Sequence, residues 1–196
     1  MGPPPISRRT AIGFAVAAIT LEWLAIALYY VAAGSSNALS VEPPKLLASG
    51  ATGAALIHWG SLIDLFGYLS IAPVVLYLRA RYSAARYVDI FAAAGLALVV
   101  IGAIGAVSMA TAAPPLINDY GSGTEAEKQA LLPAFSTLYR TVVLGLWQTL
   151  ETIPAAIWLL GMASTVRREG PRSLVVILAV TGLANAAIAT YRLLNF

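Results

Sequence analysis

The chain contains no cysteine. That absence excludes disulfides, thiolate nucleophiles and cysteine-ligated metals together, and removes any trace of a disulfide-permissive compartment. Charge is scarce as well: only 11% of the 196 residues are Asp, Glu, Lys or Arg. Soluble domains carry about a quarter, so a globule solvated by water is excluded. The single histidine, His58, rules out haem ligation by two histidines of one chain. No glycine-rich phosphate loop, serine elbow, HExxH pair or aspartate-rich prenyl-diphosphate motif occurs, so no cofactor is expected.

What is present is apolar. Hydrophobic residues make up 59% of the chain, and the mean hydropathy is +0.80. A membrane-spanning helix needs about 20 predominantly apolar residues. Spans are expected near 11–33, 54–78, 87–113, 138–165 and 173–193. The fold class is therefore all-α, one integral membrane bundle over 1–196, with outer loops at 34–53 and 114–137. The first span is too long for the h-region of a signal peptide and holds Glu22 in its middle. Pro43-Pro44 and Pro114-Pro115 are expected to stop helices on one side. Thr124 and Glu127 have capping-box spacing, which predicts a short amphipathic helix after Thr124.

The net charge of +3 does not point to nucleic acid, because the basic residues gather in short clusters at span ends. Arg8, Arg9, Arg79, Arg81, Arg86, Arg167, Arg168 and Arg172 all fall on one side. Lys45 and Lys128 lie among Glu42, Asp119, Glu125 and Glu127 on the other. The positive-inside rule then places the N-terminus in the cytoplasm and the C-terminus outside. Abundant alanine, with arginine preferred over lysine, points to a GC-rich bacterial genome.

Three spans carry an acid near the middle: Glu22, Asp64 and Glu151. Such residues are costly in lipid and mark functional sites by default. No lysine or arginine is expected at their depth. They cannot all be ionised in a dry layer, so protons, a cation or a water-filled cavity must offset them. Asn185 falls at the same level, with His58, Ser61 and Gln148 toward the outer side, along with Tyr29, Tyr30 and Tyr191. Ser61, Asp64 and Tyr68 follow i, i+3, i+7 and share a helix face. Pro154, three residues after Glu151, is expected to kink the fourth span and free the carbonyl of Leu150. The candidate ligand-binding set is Glu22, His58, Ser61, Asp64, Gln148, Glu151 and Asn185. A metal held by His58, Glu22, Asp64 and Glu151 suits iron, manganese or zinc by ligand type, but no paired-histidine spacing supports it. The third span is rich in small residues: Gly95, Gly102, Gly105 and Ala106. Small residues let helices meet closely, either inside the chain or across a homo- or hetero-oligomer contact.

Arg9-Thr10-Ala11-Ile12-Gly13 is similar to the opening of bacterial multi-pass proteins of domain of unknown function 4386. Ser61-Leu62-Ile63-Asp64-Leu65 and Val75-Leu76-Tyr77-Leu78 resemble that family too. So does the layout from Leu160-Gly161 through Gly170-Pro171-Arg172 to Thr181-Gly182-Leu183. The resemblance implies a bacterial inner-membrane protein of unassigned activity, and it supplies no catalytic residues. Three functions are then open. One is a non-catalytic accessory subunit or binding module for a lipid-like ligand or partner. The second is an enzyme on an isoprenoid-type substrate, with Glu22 or Glu151 as acid and Asp64 as its partner. The third is a proton- or cation-coupled carrier.

Overall fold

The computed structural model describes residues 6–34, 42–168 and 170–195, and these are helical with no strand among them. Helix α1 spans Arg8–Ala32, α2 Pro43–Leu47, α3 Gly50–Arg81 and α4 Val88–Ser122. Then come α5 at Glu125–Tyr139, a π-helix at Arg140–Leu150, α6 at Thr152–Val166 and α7 at Arg172–Leu194. Five helical stretches are long and apolar enough to cross a membrane, the fourth being the whole of Glu125–Val166. Within the expected first outer loop, residues 35–41 lie outside the described residues.

Local chemistry explains most boundaries. The Ser7 hydroxyl accepts the Thr10 amide at 3.1 Å and starts α1. Thr124 and Glu127 form a capping box at the head of α5, at the position the spacing predicts. Gly50, at φ 68°, takes the left-handed turn between α2 and α3 that a side chain resists.

The prolines depart from expectation. Pro43-Pro44 opens α2 rather than ending a helix, because an N-terminal proline forfeits an amide that has no helical partner anyway. Pro114 and Pro115 sit inside α4, which continues to Ser122. A proline at 114 leaves the carbonyl of Ala110, four residues earlier, without its helical amide. His58 Nδ1 lies 2.9 Å from that oxygen. A tertiary donor replaces the missing bond, and the helix runs on.

Ahead of Pro154 the helix changes type rather than simply kinking. The π segment pairs each amide with the carbonyl five residues back, as Glu151 N–H does with Leu146 at 2.8 Å. In that register the carbonyl of Thr149 would need the amide of residue 154, which proline lacks. The Thr152 hydroxyl donates to it instead, at 2.8 Å. The chain returns to α geometry at Thr152.

The chain divides into two compact units. The first comprises Met1–Ala18, Tyr68–Gly102 and Leu146–Phe196. Its core joins Val75 of α3, Leu98 of α4, Trp158 and Met162 of α6 and Leu178 of α7. Glycines make room for large neighbours: Gly95 lies under Val75 and Trp158, Gly161 under Phe91, and Gly102 under the Tyr68 ring. Helices α6 and α7 pack together, with Leu160 filling the space at Gly182.

The second unit comprises Ile19–Gly67 and Ala103–Gly145. Here α1 and α3 meet through small residues. A side chain at Gly60 would lie 3.3 Å from Leu28 Cβ and 3.5 Å from the Ala25 carbonyl, and one at Gly53 3.6 Å from the Ala32 carbonyl. Advancing seven residues on one helix steps back seven on the other, so the pair is antiparallel. Helix α2 packs on α5, and Leu46, Leu47 and Phe135 are fully buried.

Candidate functional site

In the second unit the α1–α3 seam determines which polar groups meet. Glu22 and Tyr29 are seven residues apart and flank Ala25 on one side of α1. On α3, Ile57, Gly60, Ser61 and Asp64 form one buried face. The register that sets Gly60 against Ala25 brings Glu22 level with Ile63 and Asp64. The two carboxyls thus stand at one level of the α1–α3 seam. Asp64 is only 9% exposed, whereas Glu22 stands on the exposed surface of α1.

Above the acids lies a hydroxyl chain. Ser61 donates to the Ile57 carbonyl at 2.7 Å. Its one hydrogen is thereby used, so the 2.5 Å contact with Tyr29 has the phenol as donor. Helical side chains lean toward the N-terminus, which carries the Tyr29 ring down α1 to Ser61 and within electrostatic range of Asp64. His58 occupies a different face and is half-buried. A carbonyl only accepts, so its bond to Ala110 requires the hydrogen on Nδ1. Trp59 packs edge-on against the imidazole at 5.6 Å.

Among the described residues no basic side chain is paired with these acids. Lys45 pairs with Glu42 and Lys128 with Glu125, while Arg140, the remaining cation of this unit, is exposed. No hydrogen bond to Asp64 occurs among the described residues. Measured along their own helices, Glu22 lies about 21 Å from Arg8 and Asp64 about 26 Å from Arg81, at 1.5 Å per residue.

The first unit holds the other predicted residues, differently partnered. Tyr68 donates to Glu151 Oε2 at 2.7 Å. The same ring fills the space over Gly102, and Trp147 Nε1 donates to the Gly102 carbonyl at 3.3 Å. Gln148 accepts from the Arg192 guanidinium. That contact corrects the expectation that no cation reaches this level: a long side chain on α7 brings one to within a helical turn of Glu151. Asn185 turns back on its own helix and donates to the Thr181 carbonyl at 2.9 Å. Two of the small residues of the third span, Gly95 and Gly102, are covered from inside the chain.

The sequence reading missed Tyr68 and Arg192 as partners, and also Tyr29 as the link to Ser61. The seven-residue spacing of Ala25 and Ala32, matched by Gly53 and Gly60, is the signal that pairs α1 with α3. Among the described residues no three His, Asp or Glu side chains lie together so as to hold a metal ion. Comparisons with protein-family models, with curated proteins and with solved structures gave no match.

Proposed function

We propose that this chain is a small polytopic protein of the bacterial cytoplasmic membrane, with its N-terminus inside and its C-terminus outside. In this reading it is a non-catalytic binding module that holds a lipid-like ligand or a neighbouring subunit at an intramembrane polar site. The site is centred on Glu22 and Asp64, with Tyr29 and Ser61 above them. One observation supports the reading: Asp64 is buried with neither a hydrogen bond nor an ion pair among the described residues, at the level of Glu22 on the facing helix. In hydrocarbon such a group is expensive. Protein glue would gain more from the arrangement around Glu151, where a donor is supplied.

Native mass spectrometry of gently extracted protein tests this. The wild type is expected to carry a bound lipid or partner, which Glu22→Gln and Asp64→Asn lose while still folding. A bare wild type, with both variants indistinguishable from it, would sink the binding-module reading.

A further inference from the structure

We propose that the Glu22–Asp64 pair receives the protonated amine of a cationic amphiphile, entering sideways from the lipid along α1. The proposal rests on the binding-module reading and names the ligand class. Charge is the first reason. The second unit sets two carboxyls together and pairs its lysines elsewhere, and its histidine is turned to the Ala110 carbonyl. Compensation must therefore come from outside the chain or from protons.

Geometry gives the direction of entry. Asp64 is nine-tenths buried and has no hydrogen bond among the described residues. Glu22 is exposed and forms the mouth. On the Glu22 face of α1 the approach runs over Ile19, 58% exposed, and half-buried Ile26. An inorganic cation would have to shed its water over that apolar surface. An amine carried on a hydrocarbon tail already resides in the lipid, and its tail can lie along the isoleucines.

The acceptors match the headgroup. An ammonium has three hydrogens and no acceptor. Asp64 and Glu22 offer carboxylate oxygens. Charge-assisted bonds of this kind are about twice as strong as neutral ones.

The test uses the full chain purified in dodecyl maltoside, with dodecylamine as the probe and dodecanol as its neutral match. Binding is followed by melting temperature and by native mass spectrometry. One dodecylamine per chain is expected, with dodecanol at least tenfold weaker. Glu22→Gln and Asp64→Asn should each weaken the amine at least tenfold, and Glu42→Gln, remote and exposed, should leave it unchanged. Should Asp64→Asn fail to fold, Glu22→Gln keeps the test decisive, because its position is exposed. Equal binding of the alcohol and the amine, both lost in Glu22→Gln, would overturn the amine proposal while leaving the lipid-binding reading intact. Sodium competing with dodecylamine where tetramethylammonium at equal ionic strength does not would reassign the pair to an inorganic cation. Unaltered amine affinity in Glu22→Gln would remove the site altogether.

Discussion

Around Glu151 in the first unit, polar groups are drawn into bonds: Tyr68 donates to the carboxylate, Arg192 to Gln148, and Trp147 to a backbone carbonyl. In the second unit Asp64 is buried without a hydrogen bond among the described residues, level with Glu22 across the α1–α3 seam, and the nearby Ser61 hydroxyl is taken up by Tyr29 and the Ile57 carbonyl. Both regions contain an acid expected to be costly in lipid, yet only one has a donor supplied by the chain. An intramembrane acid is therefore not informative by itself. What separates glue from a site is whether the chain provides the counterpart. The packing differs in parallel. The first unit sets glycines beneath aromatic rings, whereas the α1–α3 seam sets alanine against glycine.

The strongest way to break this comparison is Gly102→Val. A Cβ there would fall 2.1 Å from the Tyr68 ring, so the ring must leave and its bond to Glu151 goes with it. Overpacking costs about 1–3 kcal/mol, and the lost bond adds up to about 1.7 kcal/mol. Unfolding in mixed micelles should register a total near 3 kcal/mol, and a value below 1 would show that the socket yields freely.

Next in size is His58→Phe, expected to cost about 1 kcal/mol by stripping the donor from the Ala110 carbonyl. Pro114→Ala restores the helical amide for that oxygen, so in its background the same change should cost clearly less. Equal costs in the two backgrounds would refute the view that His58 stands in for the missing bond.

Tyr68→Phe sharpens the contrast between units. Removing a donor from Glu151 should destabilise by about 0.6 kcal/mol, the average for a hydrogen bond between membrane helices. Glu22→Gln should leave stability unchanged or slightly raised, since it removes a carboxylate from beside another. Melting temperatures of the two variants check this, and the reverse order would dissolve the distinction. The smallest effect is expected for Lys128→Ala. Its pair with Glu125, itself 85% exposed, is worth about 0–0.5 kcal/mol.

Much of the fold was legible because it depends on local properties. Long apolar runs, arginine-flanked ends and the Thr124–Glu127 spacing each act over a turn or two, and each recurs in the structure as a helix or a cap. The prolines were misread for an instructive reason. Pro114 ends a helix only if nothing replaces its amide, and the replacement comes from His58, 52 residues away in sequence. The π segment before Glu151 is different, since its Thr152–Thr149 bond spans only three residues, and Pro154 alone reads as a kink rather than as a change of helix type. Of the candidate site, the identities of the acids were readable from composition and depth, but their partners were not. Arg192 lies at a helix end and reads as an anchor, and Tyr68 reads as a companion of Asp64 on its helix face rather than as the donor to Glu151.

The sequence by itself determined that the described residues are helical, with five helices among them long and apolar enough for a membrane and carboxyls within those helices. These follow from residue hydrophobicity and helical periodicity, which require no knowledge of neighbours. Only the tertiary structure decided that Glu22 meets Asp64 while Glu151 receives Tyr68. That outcome depends on register, and register is set where small residues let two helices close on each other, a property of pairs of helices that no single segment carries.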